Sequence, residues 1–300
     1  MRHFLEIDDL RAAELFEVLD RADDPTPLRV LEGRGVALVF EKPSLRTRHS
    51  SELAVVQLGG HPVTVRSDEI GAGEREPLAD IARVLAGYHR VLAARVFDHA
   101  TLEGFAAVAA LPVVNLLSDR GHPCQAVADL LTMRQRLGDL AGRTVAWVGD
   151  YNNVARSLAL GATLCGMAVR VASPPGYGPD DADLDRLAGL GADVAVTDRP
   201  AEAAKGADAV HTDVWASMGQ EHEAELRRRA FEGFRVDDAL MAAASPSALF
   251  LHCLPAHRGE EVAASVVDGA QSVVFAQAAN RLPAMRGIFA WLVSVNEPVA

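Results

Sequence analysis

Five short polar clusters in this chain of 300 residues hold residue types able to bind or react. In Phe40-Glu41-Lys42-Pro43-Ser44-Leu45-Arg46-Thr47-Arg48, two hydroxyls and two arginines fall within five residues. Hydroxyls beside guanidinium groups supply the donors that a phosphate oxygen needs. If the segment also opens a helix, free backbone N–H groups and the positive dipole end complete an anion site. The competing reading is an ordinary helix cap with solvated arginines. His122-Pro123-Cys124-Gln125 offers an imidazole able to donate to a carbonyl oxygen, and an amide with both donor and acceptor. A loop histidine with proline at a helix start reads the same way. Gly149-Asp150-Tyr151-Asn152-Asn153 lies where a dinucleotide enzyme carries GxGxxG, but the second and third glycines are missing. The next strand ends at Ala172-Ser173-Pro174, without the acid that takes a ribose, so a nicotinamide site is rejected. Asn152 and Asn153 suit a small polar molecule, or a turn that uses asparagine's tolerance of left-handed geometry. Asp213-Val214-Trp215-Ala216-Ser217-Met218-Gly219 has an acid able to hold an amino group; a capping aspartate before a loop is the alternative. In His252-Cys253-Leu254-Pro255 the thiol is either a nucleophile or a small buried hydrophobe.

What the five share is their place. Val-rich apolar runs at residues 36–40, 63–65, 91–94, 113–115, 144–148, 169–172, 194–196, 209–211, 249–252 and 273–275 read as strands. Several are apolar on both faces, as buried parallel strands are. Helical stretches at 50–58, 124–137, 154–165 and 181–190 each run into a glycine stop. The alternation predicts an α/β protein with two domains, each a parallel sheet covered by helices on both faces. All five clusters then lie at the carboxyl ends of strands, where open α/β sheets bind ligands. A polar break at 138–142 separates a first domain of 1–137 from a second of 139–280. A last helix is predicted over 280–294, and nothing in its own pattern says which domain it joins.

The composition narrows the class. Two domains suit the length at ~100–200 residues each, enough to bury cores without staples. An apolar fraction of 49% and a charged fraction of 23% exclude a disordered or fibrous chain. A net charge of −12 argues against a chain-wide nucleic-acid or anionic-membrane face, while leaving room for a local basic pocket. Glu6, Asp8 and Asp9 interrupt any signal-peptide core, and no run of ~18 apolar residues spans a membrane. Three cysteines without CxxC spacing predict free thiols in a reducing cytoplasm and no zinc cluster.

Ser44-Leu45-Arg46-Thr47-Arg48, His122-Pro123-Cys124-Gln125, Asp213-Val214-Trp215-Ala216-Ser217-Met218-Gly219 and His252-Cys253-Leu254-Pro255, in this order, resemble the ornithine carbamoyltransferase family over essentially the whole chain. The first two motifs are shared with the aspartate enzymes, whose last motif resembles His-Pro-Leu-Pro-Arg; the last two therefore discriminate. The resemblance implies a carbamoyl-phosphate domain, with segment 281–300 returning to it, and an ornithine domain. It also implies a homotrimer or a multiple of trimers, with active sites between subunits. Ser44, Leu45, Arg46 and Thr47 would hold the phosphate, and Arg95 the phosphate and, with His122, the carbamoyl oxygen. Gln125 would orient the carbamoyl amide and Arg281 complete that side, while Arg48 would be structural. Asn153, Asp213, Ser217 and Met218 would bind ornithine, and Cys253 and Leu254 would line the junction between the substrates. Catalysis would fall to Arg95, His122, Asp213 and Cys253. The implied reaction is carbamoyl transfer from carbamoyl phosphate to the δ-amine of L-ornithine, giving L-citrulline and phosphate, in cytoplasmic arginine biosynthesis. It needs no metal and no cofactor. Donors aimed at the carbonyl oxygen stabilise the charge that builds there. The amine must lose a proton before it attacks.

Four positions depart from the family pattern. Ser51 stands where an aromatic is common, and Gly71 where a polar side chain reaches a neighbouring subunit. Ala279 replaces a glutamate and Pro283 a histidine. They leave two alternatives open: a different amine acceptor, or a weakly active binding or regulatory paralogue.

Overall fold

The computed structural model describes residues 1–73, 75–216 and 223–297. They form two compact units: Met1–Leu131 with Ala279–Ala300, and Thr132–Ala278. The division falls inside one helix, Pro123–Leu137.

The first unit is built on four parallel strands: β1 (Gly35–Phe40), β2 (His61–Arg66), β3 (His89–Arg95) and β4 (Val113–Leu117). Their order is β2-β1-β3-β4. Central strands β1 and β3 are buried almost throughout, whereas edge strand β2 is not. This is the difference between a strand covered on both faces and one half in solvent. Phe40 is in register with Arg95, so the chain leaves β1 beside the last residue of β3. The strand order reverses between these two, the place where open α/β sheets commonly bind ligands.

The second unit holds five parallel strands: β5 (Thr144–Val148), β6 (Ala168–Ala172), β7 (Val194–Thr197), β8 (Ala209–Thr212) and β9 (Leu249–His252). The order β7-β6-β5-β8-β9 reverses between β5 and β8. Gly149–Asn153 and Asp213 leave the sheet there. The expected α/β class of two parallel sheets is the observed one.

One expected strand is corrected. Residues 273–275 form no strand; Val274–Ala279 is a short helix. Ser272 makes a single bridge to Phe250, and Val273 N–H reaches the Phe250 carbonyl. Beyond that point Phe275-Ala276-Gln277-Ala278-Ala279 is rich in good helix formers, and local propensity outweighs the β-branched Val273-Val274 pair. The helix expected at 50–58 is longer, Leu45–Gln57, because Ser44 caps it five residues early.

The last helix, Arg281–Asn296, belongs to the first unit and packs on the helices Ala12–Asp23 and Leu45–Gln57. Ten of its residues are buried, Phe289 and Trp291 among them, and burying such side chains contributes roughly 1.5–3 kcal/mol each. Gly287 permits the close approach: a Cβ there would sit 2.4 Å from the Val18 carbonyl oxygen. Pro283 falls in the first turn, where a missing N–H costs nothing. No helix among the described residues is long and apolar enough to cross a membrane.

Candidate active site

In the first unit, the crevice between β1 and β3 collects the expected cationic residues. Ser44 is the N-cap of Leu45–Gln57, and its Oγ accepts the Thr47 N–H at 3.3 Å. This places Arg46 and Thr47 in the first turn, among the helix's free N–H groups. Arg95, at the end of β3, donates from Nη1 to Ser44 Oγ (3.3 Å) and Thr47 Oγ1 (3.2 Å). Arg281 reaches the same hydroxyl from the last helix, Nη2 to Thr47 Oγ1 at 3.3 Å. Two guanidinium groups thus converge on one buried oxygen. Arg46 is half-buried nearby, while the side chain of Leu45 is 72% exposed, which leaves its backbone as the part able to bind.

Arg281 Nη1 also lies 3.2 Å from His122 Nε2 and donates to Gln125 Oε1. A guanidinium only donates, so His122 Nε2 accepts and the neutral ring carries its proton on Nδ1. Burial holds the His122 pKa well below 6.5, and the charges of Arg281, Arg95 and Arg46 push it further down. His122 is therefore a neutral donor at neutral pH. Gln125 Nε2 donates to Asp129 Oδ1 at 2.7 Å. The amide is thereby oriented with its oxygen toward the arginine cluster, where it accepts from N–H groups. Cys124, beside these residues, is inert: burial pushes its thiol up to about 12.

The second unit's crevice is acidic. Asp213 follows β8 and is only 7% exposed. Its Oδ2 accepts from Asn152 Nδ2 at 2.9 Å, and its Oδ1 from the Cys253 thiol at 3.0 Å. The thiol proton is therefore engaged with a carboxylate. Asn152 also caps the helix Asn153–Leu164, its Oδ1 accepting the N–H groups of Val154 and Ala155. Asn153, the expected ligand, is the first helical residue beside it. His252, ending β9, accepts the Leu254 N–H on Nδ1 at 2.9 Å, so Nε2 carries the proton and donates to Glu261 Oε1 at 3.1 Å. Both side chains of that pair are fully buried. Leu254 itself sits at φ +60°, a left-handed conformation costing about 1–2 kcal/mol for a residue other than glycine. Ser217 and Met218 lie outside the described residues.

Three partners in these clusters were not among the expected site residues: Asp129, Glu261 and Arg227; Asn152, expected to suit a small polar molecule or a turn, caps the helix and donates to Asp213. Asp129 was readable in principle, four residues from Gln125 on one helix face. Arg227 pairs with Asp150 at 2.9 Å, donates to the Trp215 carbonyl at 3.0 Å, and stacks over Tyr177 at 5.1 Å. It thereby ties the segment after β5 to the segment after β8. Burial pushes the Asp150 carboxyl above its ordinary value, against the pull of Arg227. Only the folded sheet brings these residues together. Of the departures noted above, Gly71 caps the short helix Ser67–Ile70 at φ +59°, and a Cβ there would meet Arg75 Cβ at 2.7 Å. Ser51 is fully buried, and its hydroxyl has no hydrogen-bond partner among the described residues.

Both halves of the chain match known family domains. Residues 2–135 match the carbamoyl-P binding domain of the aspartate/ornithine carbamoyltransferases, and residues 141–292 match their Asp/Orn binding domain. An ornithine carbamoyltransferase of Acidothermus cellulolyticus is 50% identical over 304 residues, covering 98% of this chain and 97% of its own. The solved ornithine carbamoyltransferase of Pyrococcus furiosus superposes with a TM-score of 0.93 at 43% identity, covering 99% of this chain and 98% of that one. An acetylornithine transcarbamylase solved with acetylcitrulline superposes at 0.87 with 30% identity, covering 97% and 99%. The chain belongs to the aspartate/ornithine carbamoyltransferase family.

Proposed function

We propose that the protein transfers the carbamoyl group of carbamoyl phosphate to the δ-amine of L-ornithine, releasing L-citrulline and phosphate. The observation that carries this reading is the pair of opposed crevice chemistries. Converging guanidinium groups on Thr47 suit a phosphate, and Asp213 flanked by Asn152 and Cys253 suits an amine. In this reading Ser44, the backbone at Leu45, Arg46, Thr47, Arg95 and Arg281 hold the phosphate. Arg95, Thr47 and the Nδ1–H of His122 face the carbonyl oxygen as negative charge develops on it. Gln125 Oε1 accepts the carbamoyl N–H. Asp213 holds the ornithine amine and, with Cys253, positions it as it loses the proton that prevents attack. Asn153, Ser217 and Met218 complete the ornithine side, and Leu254 lines the carbamoyl side. Holding both substrates in line supplies much of the acceleration.

The same reading extends to a homotrimer, or a multiple of trimers, with the first unit at the interface. Leu45, Leu53, Val56 and Phe97 of that unit are exposed apolar residues available for such contact. Three free thiols suit a reducing cytoplasm, and the direction is biosynthetic, toward arginine.

The test is citrulline formation by the purified protein from carbamoyl phosphate with L-ornithine, compared with N-acetylornithine and other amines. Turnover with ornithine and little with the others is expected. Turnover only with another amine would reassign the acceptor. Binding of both substrates without turnover would point to a regulatory paralogue.

A further inference from the structure

His122 stands on a turn, and a turn does not by itself aim a ring. The residue that holds this turn is Asn115, in the middle of β4 and fully buried. Its Nδ2 lies 2.9 Å from the Leu5 carbonyl, 3.1 Å from Ser118 Oγ and 3.2 Å from the Gly121 carbonyl. Its own carbonyl accepts the Cys124 thiol at 3.2 Å. Gly121 precedes His122, and Cys124 follows Pro123. One strand residue thus grips the chain on both sides of His122. Ser118 shares the arrangement: its N–H donates to the Gly121 carbonyl at 2.9 Å, and its hydroxyl lies 2.8 Å from His99 Nδ1. A polar amide inside a buried strand carries a desolvation cost that an apolar residue avoids, and here its N–H groups are spent on the turn.

We propose that Asn115 is a positioning residue for His122: its amide and carbonyl fix the 118–124 turn so that the imidazole is presented to Arg281. The proposal rests on the reading that His122 contacts the carbamoyl group, and its test separates the two.

Asn115→Asp keeps the shape but sets a carboxylate oxygen against the Leu5 and Gly121 carbonyl oxygens; Ser118→Ala is the milder variant. Imidazole NMR of ¹⁵N-histidine-labelled protein reads the ring directly. In Asn115→Asp the His122 resonances should shift. A displaced ring should lower kcat/KM for carbamoyl phosphate by about 10- to 100-fold, with the KM for ornithine within about twofold. In a His122→Ala background the same change should cost less than about twofold, since residues acting through one another are not additive. Ser118→Ala should give the same pattern with a smaller loss, and it decides the matter if Asn115→Asp does not fold. Equal losses in both backgrounds, or unmoved His122 resonances in a folded variant, overturn the proposal. Full activity of His122→Ala alone would remove the carbamoyl role of His122, while the ring resonances still report whether Asn115 holds it.

Discussion

The two crevices occupy the same place in two related sheets and have opposite chemistry. Each lies where strand order reverses, between β1 and β3 in one unit and between β5 and β8 in the other. In the first, arginines from the strand end and the last helix meet on Thr47 beside a neutral His122. In the second, a nearly buried carboxylate is held by an amide and a thiol. Position in an α/β fold marks where ligands commonly bind, and here the same position carries opposite charge in the two units. The acidic chain as a whole says little about either.

The sharpest way to break the contrast is to neutralise one side and read both substrates. Arg281→Met should lower kcat/KM for carbamoyl phosphate by about 10³-fold, because a donor to both the hydroxyl and imidazole partners is lost where charge develops. Comparable loss of ornithine binding, seen by calorimetry, would mean that the crevices are not separable. Asp213→Asn should raise the KM for ornithine and reduce kcat, together about 10²-fold, while carbamoyl phosphate binds as before. Arg227→Met should raise the KM for ornithine about tenfold and lower the melting temperature, since it strands the half-buried Asp150 carboxylate; adding Asp150→Asn should recover part of that stability. An unaltered melting temperature would show that Arg227 does not brace this crevice.

A gentler test uses pH. The histidines that burial holds below 6.5, namely His3, His89, His99 and His122, all lie in the first unit. Below about pH 6.5 the unfolded chain takes up protons that the folded unit refuses, so stability falls as the solution is acidified and levels off above that range. Tryptophan fluorescence can localise the loss, because Trp291 is in the first unit and Trp147 and Trp215 in the second. A pH-independent Trp291 transition would contradict the expectation. The smallest effect expected is from Ser51→Ala, which removes a buried hydroxyl that has no partner among the described residues and should stabilise by about 1 kcal/mol in thermal melts.

How much of this was legible depended on range. Strands β5 and β9 stand out as apolar runs between polar turns, and their observed bounds match the expected ones. Val273 and Val274 misled because β-branched residues suit a strand, yet only Ser272 finds a bridge partner. The helix begins at Leu45, ahead of the expected residue 50, because Ser44 caps its first turn and fixes the backbone there. Ser44, Arg46 and Thr47 can be proposed from one short motif. Arg95 and Arg281, which approach Thr47 across 48 and 234 positions, were reached only through family resemblance. Asn115 gave no signal at all: inside Val113-Val114-Asn115-Leu116-Leu117 it reads as an interruption of a core strand, and its task exists only once the turn folds back upon it.

The return of the last helix has a consequence for how the protein is made. Arg2 and Asn296 exchange hydrogen bonds, and Arg281 stands at the head of the same helix. During synthesis the first 131 residues emerge together, but the helix that covers their helices Ala12–Asp23 and Leu45–Gln57 follows only after the whole second unit. Domains generally fold as they leave the ribosome, earliest first. Here the first to emerge must wait with an apolar face uncovered while the second folds. A chain cut off before residue 281 would lack both that cover and one of the two guanidinium groups that converge on Thr47.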